Sequence, residues 1–85
     1  MKASVISPER KLFEGVVASV VAPAFDGEVG ILPRHAPLVT LLGKGVLRLM
    51  TGEGDKVQRF EVSGGFLQVA DDTVRVVTES ARAIA

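Results

Sequence analysis

Short valine-rich runs, each closed by glycine, proline or paired acids after about eight to twelve residues, commit this chain to β-structure. Residues 2–6 read as a first strand, ended by Ser7-Pro8-Glu9-Arg10, where proline spares an N–H. A long β-rich run follows over 12–22, with Gly15 as a bulge or bend. Its second half, 16–22, is apolar on both faces and must be covered on both sides. Residues 38–42 form another strand, stopped by Gly43-Lys44-Gly45. The runs 46–50 and 56–62 flank Thr51-Gly52-Glu53-Gly54-Asp55, a hairpin with a five-residue loop. Ser63-Gly64-Gly65 breaks that ladder, 66–69 resumes it, and Ala70-Asp71-Asp72-Thr73 turns into 74–78. The tail, 79–85, carries helix-forming residues but supports about two turns at most. The pattern predicts an all-β fold, a sandwich or flattened barrel, in one domain over 1–85 with a short C-terminal tail.

Residues 23–40 are the most constrained part of the chain. They hold three of the four prolines, two of the nine glycines and the only histidine. Gly27 and Gly30 tolerate positive φ or close approach, and Pro33 and Pro37 fix their own φ. A stretch so restricted is shaped before anything meets it. Its composition suits docking more than chemistry.

Composition points the same way. Hydrophobic residues make up 47% of the 85, only 5% are aromatic, and mean hydropathy is +0.34. That is more aliphatic surface than a small monomer readily hides, so an exposed apolar patch for a partner is expected. Ten basic and ten acidic residues cancel, which argues against a nucleic-acid binder built on phosphate contacts. There is no cysteine, so disulfide and thiol chemistry are excluded. No signal peptide is visible, and no uncharged stretch is long enough to span a bilayer. The chain reads as soluble and cytoplasmic, reaching a membrane only through another subunit.

Candidate chemistry is thin. His35 alone cannot found a metal site without cysteines, so no metal or cofactor is expected, and its ring is expected to hydrogen-bond to backbone. No serine stands in a nucleophile elbow. Asp71 and Asp72 are adjacent carboxylates, but aspartate is favoured in turns for its own side-chain-to-backbone bonds. No phosphate-binding glycine motif occurs. No catalytic residue is predicted.

Residues 25–40, Phe25-Asp26-Gly27-Glu28-Val29-Gly30-Ile31-Leu32-Pro33-Arg34-His35-Ala36-Pro37-Leu38-Val39-Thr40, resemble the signature loop of the epsilon subunit of bacterial F-type ATP synthase. Ser63-Gly64-Gly65-Phe66-Leu67-Gln68-Val69 is similar to that family's second signature. Ser7-Pro8-Glu9, Phe13-Glu14-Gly15 and Gly45-Val46 keep the family's order and spacing. The resemblance implies a ten-stranded β-sandwich of two antiparallel sheets, the family's N-terminal domain. It also implies a non-catalytic rotor subunit of the central stalk, docking the gamma subunit to the c-ring and coupling proton flow to ATP synthesis. Its place would be peripheral, on the cytoplasmic face of the bacterial inner membrane, in a hetero-oligomer.

By the same resemblance Asp26, Gly27, Glu28, Val29 and Gly30 should face the polar loops of the c-ring, with Glu28 as the acid that meets ring arginines. Ser7, His35 and Thr40 match positions at or near the gamma interface. Arg34 stands where many relatives have glycine. Family members continue into two inhibitory helices, and this sequence stops where those helices would begin, so helix-mediated inhibition is not expected of it. The alternative is a small β-barrel RNA-binding module, which would need a basic face and stacking aromatics. A hydrolase using His35 is a third reading.

Overall fold

A computed structural model describes residues 1–51 and 56–84. Its strands are β1 (Lys2–Ile6), β2 (Lys11–Val16), β3 (Ser19–Ala24), β4 (Gly27–Ile31), β5 (Leu38–Leu41), β6 (Lys44–Met50), β7 (Val57–Ala70) and β8 (Thr73–Ile84). They pair in the order β2-β1-β8-β7-β6-β3-β4, with β5 added beside β7.

The long hairpin of β7 and β8 carries everything else. Asp71 and Asp72, with φ of 51° and 56°, make its two-residue turn, the left-handed pair that suits strand twist. One unbroken register then joins the arms, from Ala70↔Thr73 to Arg59↔Ile84. Midway the hairpin bends at Gly64 and Gly65, with φ of 74° and 100°. A Cβ at Gly65 would strike the Val77 carbonyl oxygen and lie 2.7 Å from Thr78 Cα, so β8 can close on the bend only over glycine. The buried Thr78 hydroxyl lies 3.0 Å from the carbonyls of both Gly64 and Ser80, tying the two bent strands together.

The bend folds one continuous sheet into two layers. Beyond it, residues 65–70 of β7 and 73–78 of β8 pair with β5 and β1, and β1 carries β2. Before it, residues 57–63 of β7 pair with β6, which carries β3 and then β4. Alternate residues turn inward, as strand geometry requires. Val5, Leu67, Val69, Val74 and Val76 of the first layer meet Val20, Ala22, Ile31, Leu47, Leu49, Phe60 and Val62 of the second, all buried. The molecule measures 28 × 26 × 22 Å, close to two sheets about 10 Å apart plus their outer side chains.

The all-β sandwich is as the sequence predicts, and four details differ. Among the described residues there are eight continuous strands for the ten implied, β7 and β8 each serving both layers. The sheets are not wholly antiparallel, since β1 runs parallel to β8. The run 12–22 is two strands in different layers, crossing at Val17 and Ala18, whose N–H groups donate to the carbonyls of Met1 and Met50. Over its described residues the tail is strand and not helix. Residues 80–84 extend β8 against β7, where a ready-made ladder outweighs helix propensity over so short a span. The 51–55 hairpin loop lies largely outside the described residues, although β6 and β7 pair up to Met50↔Val57 beside it.

Candidate docking surfaces

The segment 26–30 is an edge strand with its turn rather than an open loop. Phe25 and Asp26 form the turn between β3 and β4, and Gly27 leaves it at φ 133°. Asp26, Gly27, Glu28 and Gly30 are exposed and Val29 is half-buried. β4 has β3 on one side, and its other edge has no strand partner among the described residues. Glu28 sits opposite Pro23. Both of its carboxylate oxygens lie 3.4 Å from Nη2 of Arg48, which reaches across β3 from β6.

Ser7, His35 and Thr40 are not gathered at one point. Ser7 is buried in the β1–β2 turn, its hydroxyl 3.2 Å from the Arg10 carbonyl and 3.3 Å from the Glu9 carboxylate. His35 is half-buried between β4 and β5. Its backbone N–H donates to Leu32, and its Nδ1 lies 2.7 Å from the Ala36 carbonyl, a ring-to-backbone contact of the kind expected. Thr40 lies half-buried on the core-facing register of β5, opposite Leu67. Its neighbours Val39 and Leu41 face outward, at 68% and 63% exposure.

Those neighbours begin an apolar surface that no single residue announced. Strand partners share a face. The register Leu41↔Phe66, Phe66↔Val77 and Ile6↔Val77 therefore sets four apolar side chains in a row across β5, β7, β8 and β1. The adjoining row is Val39, Gln68, Arg75 and Ser4, so polarity rises away from the bend. A signal existed in the sequence: Leu38-Val39, Leu41-Leu42 and Phe66-Leu67 are apolar at consecutive positions, as two-sided strands are. The opposite outer face sets charge pairs among apolar side chains such as Val46 and Met50. It carries the Glu28–Arg48 pair, Arg59, and Glu61 held 3.2 Å from Arg82.

Asp72 adds more than turn chemistry. Its Oδ1 accepts the Arg34 N–H at 2.8 Å and Oδ2 lies 3.5 Å from the Met1 ammonium. The Arg34 backbone bond, against some desolvation and with help from the ammonium and the Arg34 guanidinium, holds its carboxyl below the ordinary value of 3.8. It is a fixed anion and a poor proton donor. Among the described residues no three histidine, aspartate or glutamate side chains cluster as metal ligands.

The sequence model of the family described as ATP synthase, Delta/Epsilon chain, beta-sandwich domain matches residues 1–84. The chain belongs to the delta/epsilon family. Among its relatives, the ATP synthase epsilon chain of Leptospira borgpetersenii is 49% identical over 79 residues, 93% of this chain and 61% of that one. The ATP synthase epsilon chain of Brevibacillus brevis is 43% identical over 81 residues, 95% of this chain and again 61% of its own. This delta/epsilon chain thus spans about three fifths of the length of those curated relatives. Among solved structures, a chain of the Euglena gracilis mitochondrial ATP synthase, in an OSCP/F1/c-ring assembly, superposes with a TM-score of 0.87. It is 28% identical, over 95% of this chain and 51% of its own. A chain in the central stalk/c-ring structure of the Tetrahymena thermophila enzyme shares the fold at TM-score 0.78 and 20% identity, over 96% of this chain and 65% of its own.

Proposed function

We propose that this delta/epsilon-family domain is a non-catalytic rotor piece of an F-type ATP synthase, holding the gamma subunit to the c-ring so that proton flow is coupled to ATP synthesis. The observation that carries this reading is the unlike chemistry of its two outer faces. An apolar row of Leu41, Phe66, Val77 and Ile6 suits a dry, lasting contact with a shaft. Ser7 follows Ile6 and Thr40 precedes Leu41, so two of the three gamma positions adjoin the ends of that row in the chain, Thr40 on the inward side of β5. His35 stands apart from the row, toward the β7–β8 turn, where the neighbouring Arg34 N–H donates to Asp72.

On the side that carries the charge pairs, Asp26, Gly27, Glu28, Val29 and Gly30 form the edge that meets the polar loops of the ring. Glu28 supplies the charge that pairs with ring arginines, which favours orientation and rate of docking more than raw strength. Contacts of this kind bury on the order of 800 Å² per partner. The domain would sit peripherally on the cytoplasmic face of a bacterial inner membrane, reaching the bilayer only through the ring. Co-purification tests the reading: the full chain should be retained stoichiometrically by gamma and by gamma–c-ring complexes. Retention by neither overturns it.

A further inference from the structure

Among the described residues, Arg48 has two carboxylates near it on its face of the sheet and one neighbour that repels it. Arg59 stands directly opposite on β7, a like charge in cross-strand register. Glu61, diagonal to it on the same strand, is occupied by Arg82 at 3.2 Å. On the other side, Arg48 is opposite Val21 of β3, and Val21 is opposite Gly30 of β4, where no side chain blocks the way. The guanidinium therefore leans over β3 and rests 3.4 Å from both oxygens of Glu28. Arg48 and Glu28 side chains remain 41% and 61% exposed, so water and other ions compete with the pair.

We propose that Arg48 is a built-in counter-ion that weakens the docking of the β4 edge by occupying Glu28 before a cationic partner arrives. The proposal rests on the reading that this edge meets the c-ring. A ring arginine that pairs with Glu28 must displace Arg48, so one ion pair is exchanged for another and little is gained. Arg48, released, also adds its own positive charge to the contact. The edge is thereby kept from gripping the ring too strongly, while the apolar row holds gamma.

The test is binding of the full chain, in complex with gamma, to purified c-rings at two salt concentrations. Arg48→Met should tighten ring binding about two- to fivefold, the range of one exposed ion pair. It should also make binding steeper in salt, because a new pair forms instead of being swapped. Glu28→Gln should weaken binding, and adding Arg48→Met to it should give a smaller gain than Arg48→Met gives in the wild type, the remainder being Arg48's own repulsion of the ring. Arg48→Lys, which keeps the charge, should stay near wild type, and melting curves check that each variant is folded. If Glu28→Gln weakens binding while Arg48→Met leaves it unchanged or weaker, the competitor idea falls and the ring-facing assignment stands. If Glu28→Gln and Arg48→Met both have no effect, both ideas fall.

Discussion

Gly65 has no substitute. Even alanine would drive its methyl group into the Val77 carbonyl at a φ of 100°, combining a clash with a backbone conformation that side chains resist. Gly65→Ala should cost at least ~3 kcal/mol, lowering Tm by more than ~10 °C in a domain of this size. A melt within a few degrees of wild type would mean that the bend is softer than it looks. Thr78→Val, which keeps the shape but leaves the Gly64 and Ser80 carbonyls without their hydroxyl, should cost ~1 kcal/mol.

Asp72 gives a pH-dependent counterpart. Its folded carboxyl is held below 3.8, so its stabilising effect is present above the unfolded value and is lost as pH falls through the folded one. Asp72→Ala should melt lower than wild type at neutral pH, and the gap should close in strongly acid solution. Asp72→Asn, which still offers an acceptor to the Arg34 N–H, should lose less. A gap that stays constant with pH would show that the charge contributes nothing.

Among the elements, the proposed gamma contact leans most on β5, an edge strand whose outward residues are large and apolar. Leu41→Glu or Val39→Glu should leave Tm within a few degrees, since both side chains already face water, yet should weaken gamma binding at least ~10-fold, as loss of a buried apolar anchor does. Unaltered gamma affinity, read by calorimetric titration, would move the interface elsewhere.

The strands themselves were readable from composition and punctuation. Alternating Val74 and Val76 marked the first half of β8, Asp71-Asp72 marked its turn from β7, and Gly64-Gly65 marked a discontinuity. What could not be read was whether those glycines end a strand or bend it, since local chemistry is the same and only β8 closing over them decides. The fate of 80–84 was hidden for the same reason: Ala81 and Arg82 favour helix in isolation, and their β-partners lie some twenty residues away in β7. Of the docking edge, Asp26 to Gly30 was legible as a constrained segment, but not as a strand. The Glu28–Arg48 pair was illegible, because it depends on β3 lying between two strands that sequence order does not place together.

At the scale of the molecule, both layers share the same two strands, so neither has a boundary along which to separate. Unfolding should be a single transition. Amides of Val62 in one layer and Val76 in the other should exchange only with global opening and report the same free energy. Markedly faster exchange throughout one layer would show that the sandwich divides.

The bent hairpin also decides how the piece behaves under load. In a sandwich of two separate sheets, a twist would be resisted only by side chains sliding past one another. Here a push received at Phe66 travels to Phe60 along six peptide bonds of a single ribbon, and its companion β8 turns the same corner. The corner at Gly64-Gly65 is itself clamped by the Thr78 hydroxyl, so this elbow works as a rigid bracket and not as a hinge.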